Sequence, residues 1–165
     1  MTHYTDLLHY RRSVADMYAA QRQSTLPLAE RWTVWRNTRD ALFAHHPQSA
    51  LTVAQKATFT GLAYYPYNPA WRFETVVDTA VEPTVIPIET AHDGVIRAQR
   101  FGKLQLTIAG NPFSLSLFWL LGYGGGVFLP FRDGTNGQTT YGGGRYLLDT
   151  IKHADLGQSA AGKLI

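Results

Sequence analysis

The sequence predicts an α+β fold, with N-terminal helices followed by an antiparallel β-meander that curls into a barrel or half-barrel. Three observations carry this expectation. Apolar residues recur at three- and four-residue steps through roughly the first sixty positions. From Gly61 onward they alternate with polar ones, as in half-buried strands. Short glycine-bearing turns then separate the alternating runs, which favours sequential antiparallel neighbours. At 165 residues a single domain is expected, with 1–60 its helical part and 61–165 its β part.

The first helix is expected over Asp6 to Gln23, where Leu7, Leu8, Val14, Met17 and Tyr18 share helical spacing and Thr5 or Asp6 can cap the start. Ser24 to Pro27 breaks it. A second helix follows from Leu28 to Ala44, with Trp32, Trp35, Leu42 and Phe43 on its apolar side. It ends before His45-His46-Pro47, because the residue before proline disfavours helical geometry. A short third helix over Val53 to Phe59 starts from Thr52 as its N-cap. Strands are expected at Phe73–Thr79, Val85–Thr90 and Val95–Phe101, with a His92-Asp93-Gly94 turn, and at Lys103–Ile108. Gly110-Asn111 turns the chain into Phe113–Leu121, where Phe113, Leu115, Leu117, Trp119 and Leu121 share one face. Gly122–Gly126 turns it again into Val127–Phe131, and Asn136-Gly137 into Thr140–Leu148.

Charge and composition exclude several functions. Lys and Arg number 15 against 12 acids, a net charge of +3 without clustering. Arg31, Arg36 and Arg39 are interrupted by Glu30 and Asp40 and read as a solvated helix face, so no nucleic-acid partner is expected. Without cysteine, this chain has no disulfide framework, thiolate nucleophile or Cys-ligated metal. Its first residues show no continuous apolar h-region. The uncharged stretch from Phe113 to Phe131 holds four glycines and Pro130, which cost a helix about 1 and 3 kcal/mol each. Two strands avoid that cost, and no membrane span is expected.

The densest chemistry lies in Val127–Thr150, VFLPFRDGTNGQTTYGGGRYLLDT. Its glycine runs are not followed by the helix of a dinucleotide fold or the Gly-Lys-Ser/Thr of a P-loop. The calcium-loop pattern starting at Asp133 fails because Gly144 stands where a glutamate is needed. The six histidines lack zincin spacing, and no serine sits in a G-x-S-x-G elbow. No metal and no cofactor are expected. A two-residue Asn136-Gly137 turn would oppose Arg132 to Tyr141 and Phe128 to Arg145. Arg132, Tyr141, Gly143 and Arg145 would then share one face, a low floor with two cations and a phenol. The plainer alternative ties Arg132 to Asp133, Asp149 or a carbonyl as a hairpin brace.

The run VFLPFRDGTNGQTTYGGGRYLL closely resembles the bacterial family called domain of unknown function 1684. TVWRNTRDALFAHHPQSAL, FTGLAYYPYNPAWRF and LFWLLGYGGGVFLPF match it as well, so the resemblance covers the chain from about Trp32 onward. It implies a cytoplasmic protein and no defined activity. Relatives continue past the position of Ile165 with a segment resembling LDFNFAYNPSCAY, so the resemblance implies either a fragment or a naturally short version, without a C-terminal strand segment.

Three readings follow. The leading one is a module that binds a small anionic or polar ligand. Arg132 and Arg145 would supply charge, Tyr141 and Tyr146 stacking, and Asp133, Thr135, Asn136 and Thr139 polar contacts. The second is an enzyme with Asp133 or Asp149 as general base and Arg132 as substrate clamp, which requires a carboxyl shifted upward in pKa. The third is a structural protein that docks a partner on Tyr64, Tyr65, Tyr67 and Trp71.

Overall fold

Helical spacing at the N-terminus becomes three helices: α1 (Tyr4–Gln23), α2 (Leu28–His45) and α3 (Val53–Ala57). The computed structural model describes residues 3–90 and 94–165, so His92 and Asp93 of the expected turn lie outside the described residues. The backbone divides into two compact units, Met1–Pro69 and Ala70–Ile165.

In the first unit, α1 starts earlier than expected. Thr5 and Asp6 lie inside it, and His3 occupies the N-cap position without a side-chain hydrogen bond. Helix α2 ends where Pro47 requires, with His46 as its extended C-cap. Helix α3 has the expected cap at Thr52, completed as a capping box by Gln55, but it stops at Ala57 rather than Phe59. Trp32 and Trp35 pack against Tyr64, and Trp32 also against Tyr67, with ring centroids 5.8–6.3 Å apart. The arginines of α2 are not a freely solvated face. Arg36 lies 5.1 Å over Trp32, Arg39 lies 5.3 Å over Trp35, and Arg31 donates to the Gln21 carbonyl. Long aliphatic stems and flat guanidinium groups let arginine cover aromatic surface that lysine would leave wet.

The second unit is an antiparallel meander of β1 (Val85–Glu89), β2 (Val95–Ile108), β3 (Asn111–Leu121), β4 (Gly126–Phe131) and β5 (Arg145–Asp149), paired in chain order. The two expected strands around Gly102 are one strand with a bulge between Arg100 and Gly102. Glycine gives clearance there, because a Cβ would fall 2.7 Å from Val77 Cγ1 and 3.2 Å from the Asp78 carbonyl oxygen. The β2–β3 turn uses Ala109 and Gly110, both at positive φ, one residue earlier than expected. Phe73–Thr79 forms no strand; only Thr75 and Asp78 make isolated bridges, to Leu164 and Lys103. Strands β1 and β5 end the ladder unpaired with each other, so these five strands do not close into a barrel.

The core takes one leucine from each of four adjacent strands, Leu104, Leu117, Leu129 and Leu148, with Val77, Phe101, Leu115, Val127 and Leu164 packed around them. The expected continuous apolar face of β3 is interrupted. Leu117 is fully buried, but Trp119 and Leu121 are 45% and 38% exposed while Leu120 on the other face is buried. The switch falls where β2 carries its bulge. The bulge adds one residue opposite β3, and burial moves to Ala98 and Leu120 beyond it. Pro130 is tolerated in β4 because β3 pairs with β4 only as far as Phe128, and β5 meets it at a register shift. The uncharged stretch 113–131 is thus β3, a turn and β4, and no helix among the described residues is long and apolar enough to cross a membrane.

Candidate functional site

Strands β4 and β5 are joined by the long loop 132–144, which holds most of the candidate residues. The expected two-residue hairpin is not what forms. Arg145 pairs with Phe131 and Asp149 with Phe128, so Arg132 and Tyr141 are loop residues and not opposed strand positions. The reason is local. The Thr135 carbonyl accepts from the amides of Gln138, Thr139 and Thr140, which winds the chain into a compact turn before it can pair.

Side chains then knit this turn together. Arg145 donates to the Asp133 carboxylate, and its guanidinium lies 4.8 Å over the Phe131 ring. Asp133 Oδ1 accepts from the Thr135 amide at 2.9 Å and from its hydroxyl at 2.5 Å. Thr135 Oγ1 also meets Thr140 Oγ1 at 2.9 Å. Asn136 braces the loop on both sides: its Oδ1 accepts from the Asp133 amide at 2.8 Å, and its Nδ2 donates to the Tyr141 carbonyl at 2.9 Å. Each bond replaces a contact that an exposed loop would otherwise make with water, so the gain is order rather than depth of burial.

Of the predicted residues, the structure therefore brings together Asp133, Thr135, Asn136 and Arg145, and adds Thr140 and Phe131, which the sequence reading missed. Arg132 reaches only the Gly143 carbonyl, at 3.4 Å, and meets no carboxylate among the described residues. Tyr141 is 77% exposed, its ring occupying the space that a Cβ on Gly143 would need. Thr139 is exposed on the turn. Tyr146 does not join the group. It packs on Phe128, with Lys152 Nζ 5.0 Å from its ring centroid.

The chemistry of the two aspartates differs from that of a general base. Hydrogen bonds from the Thr135 hydroxyl and amide, and then the charge of Arg145, hold the Asp133 carboxyl below its ordinary value of 3.8. A carboxylate stabilised in this way is a weaker base. Asp149 is buried, caps the 3-10 turn Thr150–Lys152 through the Lys152 amide, and lies 3.4 Å from Lys152 Nζ. Both carboxylates are occupied by structural partners.

None of the candidate residues lines either of two clefts that lie among the described residues. One, of about 360 Å³, lies among Val127, Leu148, Thr150, Asp155, Gly157, Gln158 and Leu164. The other, of about 230 Å³, lies at the end of α2 beside Asp40, His45 and Phe59. Among the described residues no three metal-ligating side chains converge. The docking patch of three tyrosines and a tryptophan is also divided: Tyr64 and Tyr67 turn into the aromatic cluster of the first unit, leaving Tyr65 and Trp71 exposed.

Fold and loop together define an α+β chain whose meander carries one braced, polar, solvent-facing loop. The chain belongs to the family described as protein of unknown function (DUF1684), whose sequence model matches residues 57–162 and so includes the whole loop. A solution NMR structure of an uncharacterized protein from Haloarcula marismortui is 30% identical, over 71% of this chain and 64% of that one, with a TM-score of 0.48. The chain thus spans less than two thirds of that relative's length. No curated protein matches it.

Proposed function

We propose that this chain is a cytoplasmic module that binds a small anionic ligand on the loop 132–144. One observation carries the reading: Arg145 is neutralised by Asp133 of the loop, whereas the exposed Arg132 meets no carboxylate among the described residues. The pairing of Arg145 spends one cation on holding the loop in shape, and the shape presents the other. A carboxylate or phosphate oxygen at Arg132 would gain a charge-assisted hydrogen bond, and the adjacent Tyr141 ring offers a flat apolar surface to a planar ligand. Preorganisation matters because ordering a free loop on binding would consume much of so small an interaction. Thr139 and Asn136 lie on the same loop as further polar contacts.

The same reading gives the sheet a half-barrel curvature. Its support is a chain of single bridges on the far side from β3: Asp78 to Lys103, Thr75 to Leu164, Leu164 to Gln158, and Ala154 to Asp149 of β5. Such a curve would hold the loop at one rim of the meander.

The test is a thermal-shift comparison with small carboxylates and phosphate on the native chain and on Arg132→Ala. Stabilisation that rises with anion concentration in the native chain and vanishes in the variant supports the site. An equal rise in both would remove it.

A further inference from the structure

His46 is buried in the first unit, and each of its polar atoms has an assigned partner. Its amide closes α2 on the Leu42 carbonyl at 3.1 Å, and its carbonyl accepts from Lys56 Nζ at 2.6 Å. On the ring, Nδ1 accepts from the Gln48 amide at 3.0 Å, while Nε2 lies 2.9 Å from Nδ1 of His9. A backbone amide can only donate, so His46 Nδ1 carries no proton. The His46 proton is therefore on Nε2, where it donates to His9 Nδ1. The two ring planes lie 9° apart with centroids 5.1 Å apart, a separation compatible with an end-to-end hydrogen bond between imidazoles.

This chain of bonds, Gln48 amide to His46 to His9, accommodates no further proton. A proton on His46 Nδ1 displaces the Gln48 amide. A proton on His9 Nδ1 sets two N–H groups against each other. We propose that His9 and His46 form an acid-released latch that holds the N-terminal half of α1 to the end of α2. Helix α1 needs such a tie, because His3 gives its N-terminus no side-chain cap.

The groups facing His46 are Asp6, His9 and Tyr10 from α1 and Lys56 from α3. Burial, then the charge of His9, lowers the His46 pKa from 6.5; Asp6 opposes the shift and Lys56 adds to it. A lowered histidine pKa means that the unfolded or released state binds the proton more readily. The latch is therefore complete above 6.5 and is lost as pH falls below it.

The experiment follows ring nitrogens by NMR and amide exchange along α1 in the full chain, between about pH 5 and 8. The latch predicts a protonated Nε2 on His46 at the upper end. It also predicts a loss of exchange protection over residues 5–13 that tracks the His46 titration. His9→Phe should show the low-pH exchange pattern at every pH, and His45→Gln, at the neighbouring exposed position, should behave as the native chain. A His46 proton found on Nδ1, or protection that stays constant through the titration, would overturn the proposal, and neither readout depends on a variant that folds.

Discussion

Single residues in this chain are set by geometry that their neighbours impose, and Ala109 shows the cost of one that does not fit. It sits at φ 50° in the β2–β3 turn, where a side chain meets the following carbonyl. The same turn with Asn-Gly at its centre is the favoured two-residue hairpin connection. Ala109→Asn is expected to stabilise the chain by about 1 kcal/mol, read as a higher midpoint in urea. Asp133 illustrates the opposite case, a residue whose surroundings suit its charged form. Its depressed pKa means that the Asp133–Arg145 brace is complete above 3.8 and is lost only as pH falls below that value. Amide signals of residues 133–140 should therefore hold steady on acidification until that range and then change together. Asp133→Asn should loosen the same signals at neutral pH, since Arg145 would lose its carboxylate partner.

At the scale of elements, the bulge at Gly102 governs more than any single contact. It lets one long strand serve two faces, and the four-leucine core lies on one side of it. Leu117→Ala should cost about 2–5 kcal/mol in denaturant unfolding, since that side chain is fully buried and its neighbours come from separate strands. Most of these elements were legible in the sequence, because helical spacing ended and alternation began near Gly61, and because Thr52 and Pro47 mark helix ends by local chemistry alone. What was not legible has a common physical cause. Alternation in Phe113–Leu121 was visible, but which half of that face is buried depends on what the rest of the chain lays over it. The register of β4 with β5 depends on three amides winding onto the Thr135 carbonyl, and Asn136-Gly137 by itself reads as a tight hairpin. Phe73–Thr79 alternates like a strand yet makes only single bridges, since pairing needs a neighbour in place along its length.

For the whole molecule, the proposed binding site divides labour between a framework that shapes a loop and a loop that keeps one cation available. The arginine pair in the loop sequence was legible as a concentration of charge; the assignment of one arginine to structure and the other to solvent was not. That division follows from which guanidinium reaches Asp133, a distance that appears only once the turn has formed. Arg132→Ala should leave the unfolding midpoint unchanged within about 0.5 kcal/mol, as expected for a surface substitution away from the core. Arg145→Ala should lower it, because it leaves Asp133 without its cation and Phe131 without its cover.

The most direct measurement is an amide NMR titration of the native chain with benzoate, an anion that is both a carboxylate and a flat ring. Anion binding at Arg132 predicts shifts concentrated in residues 131–145, saturating with concentration, and absent in Arg132→Ala while the spectrum elsewhere matches the native one. Shifts centred instead on the cleft of Val127, Leu148 and Leu164, or shifts that persist unchanged in the variant, would contradict it.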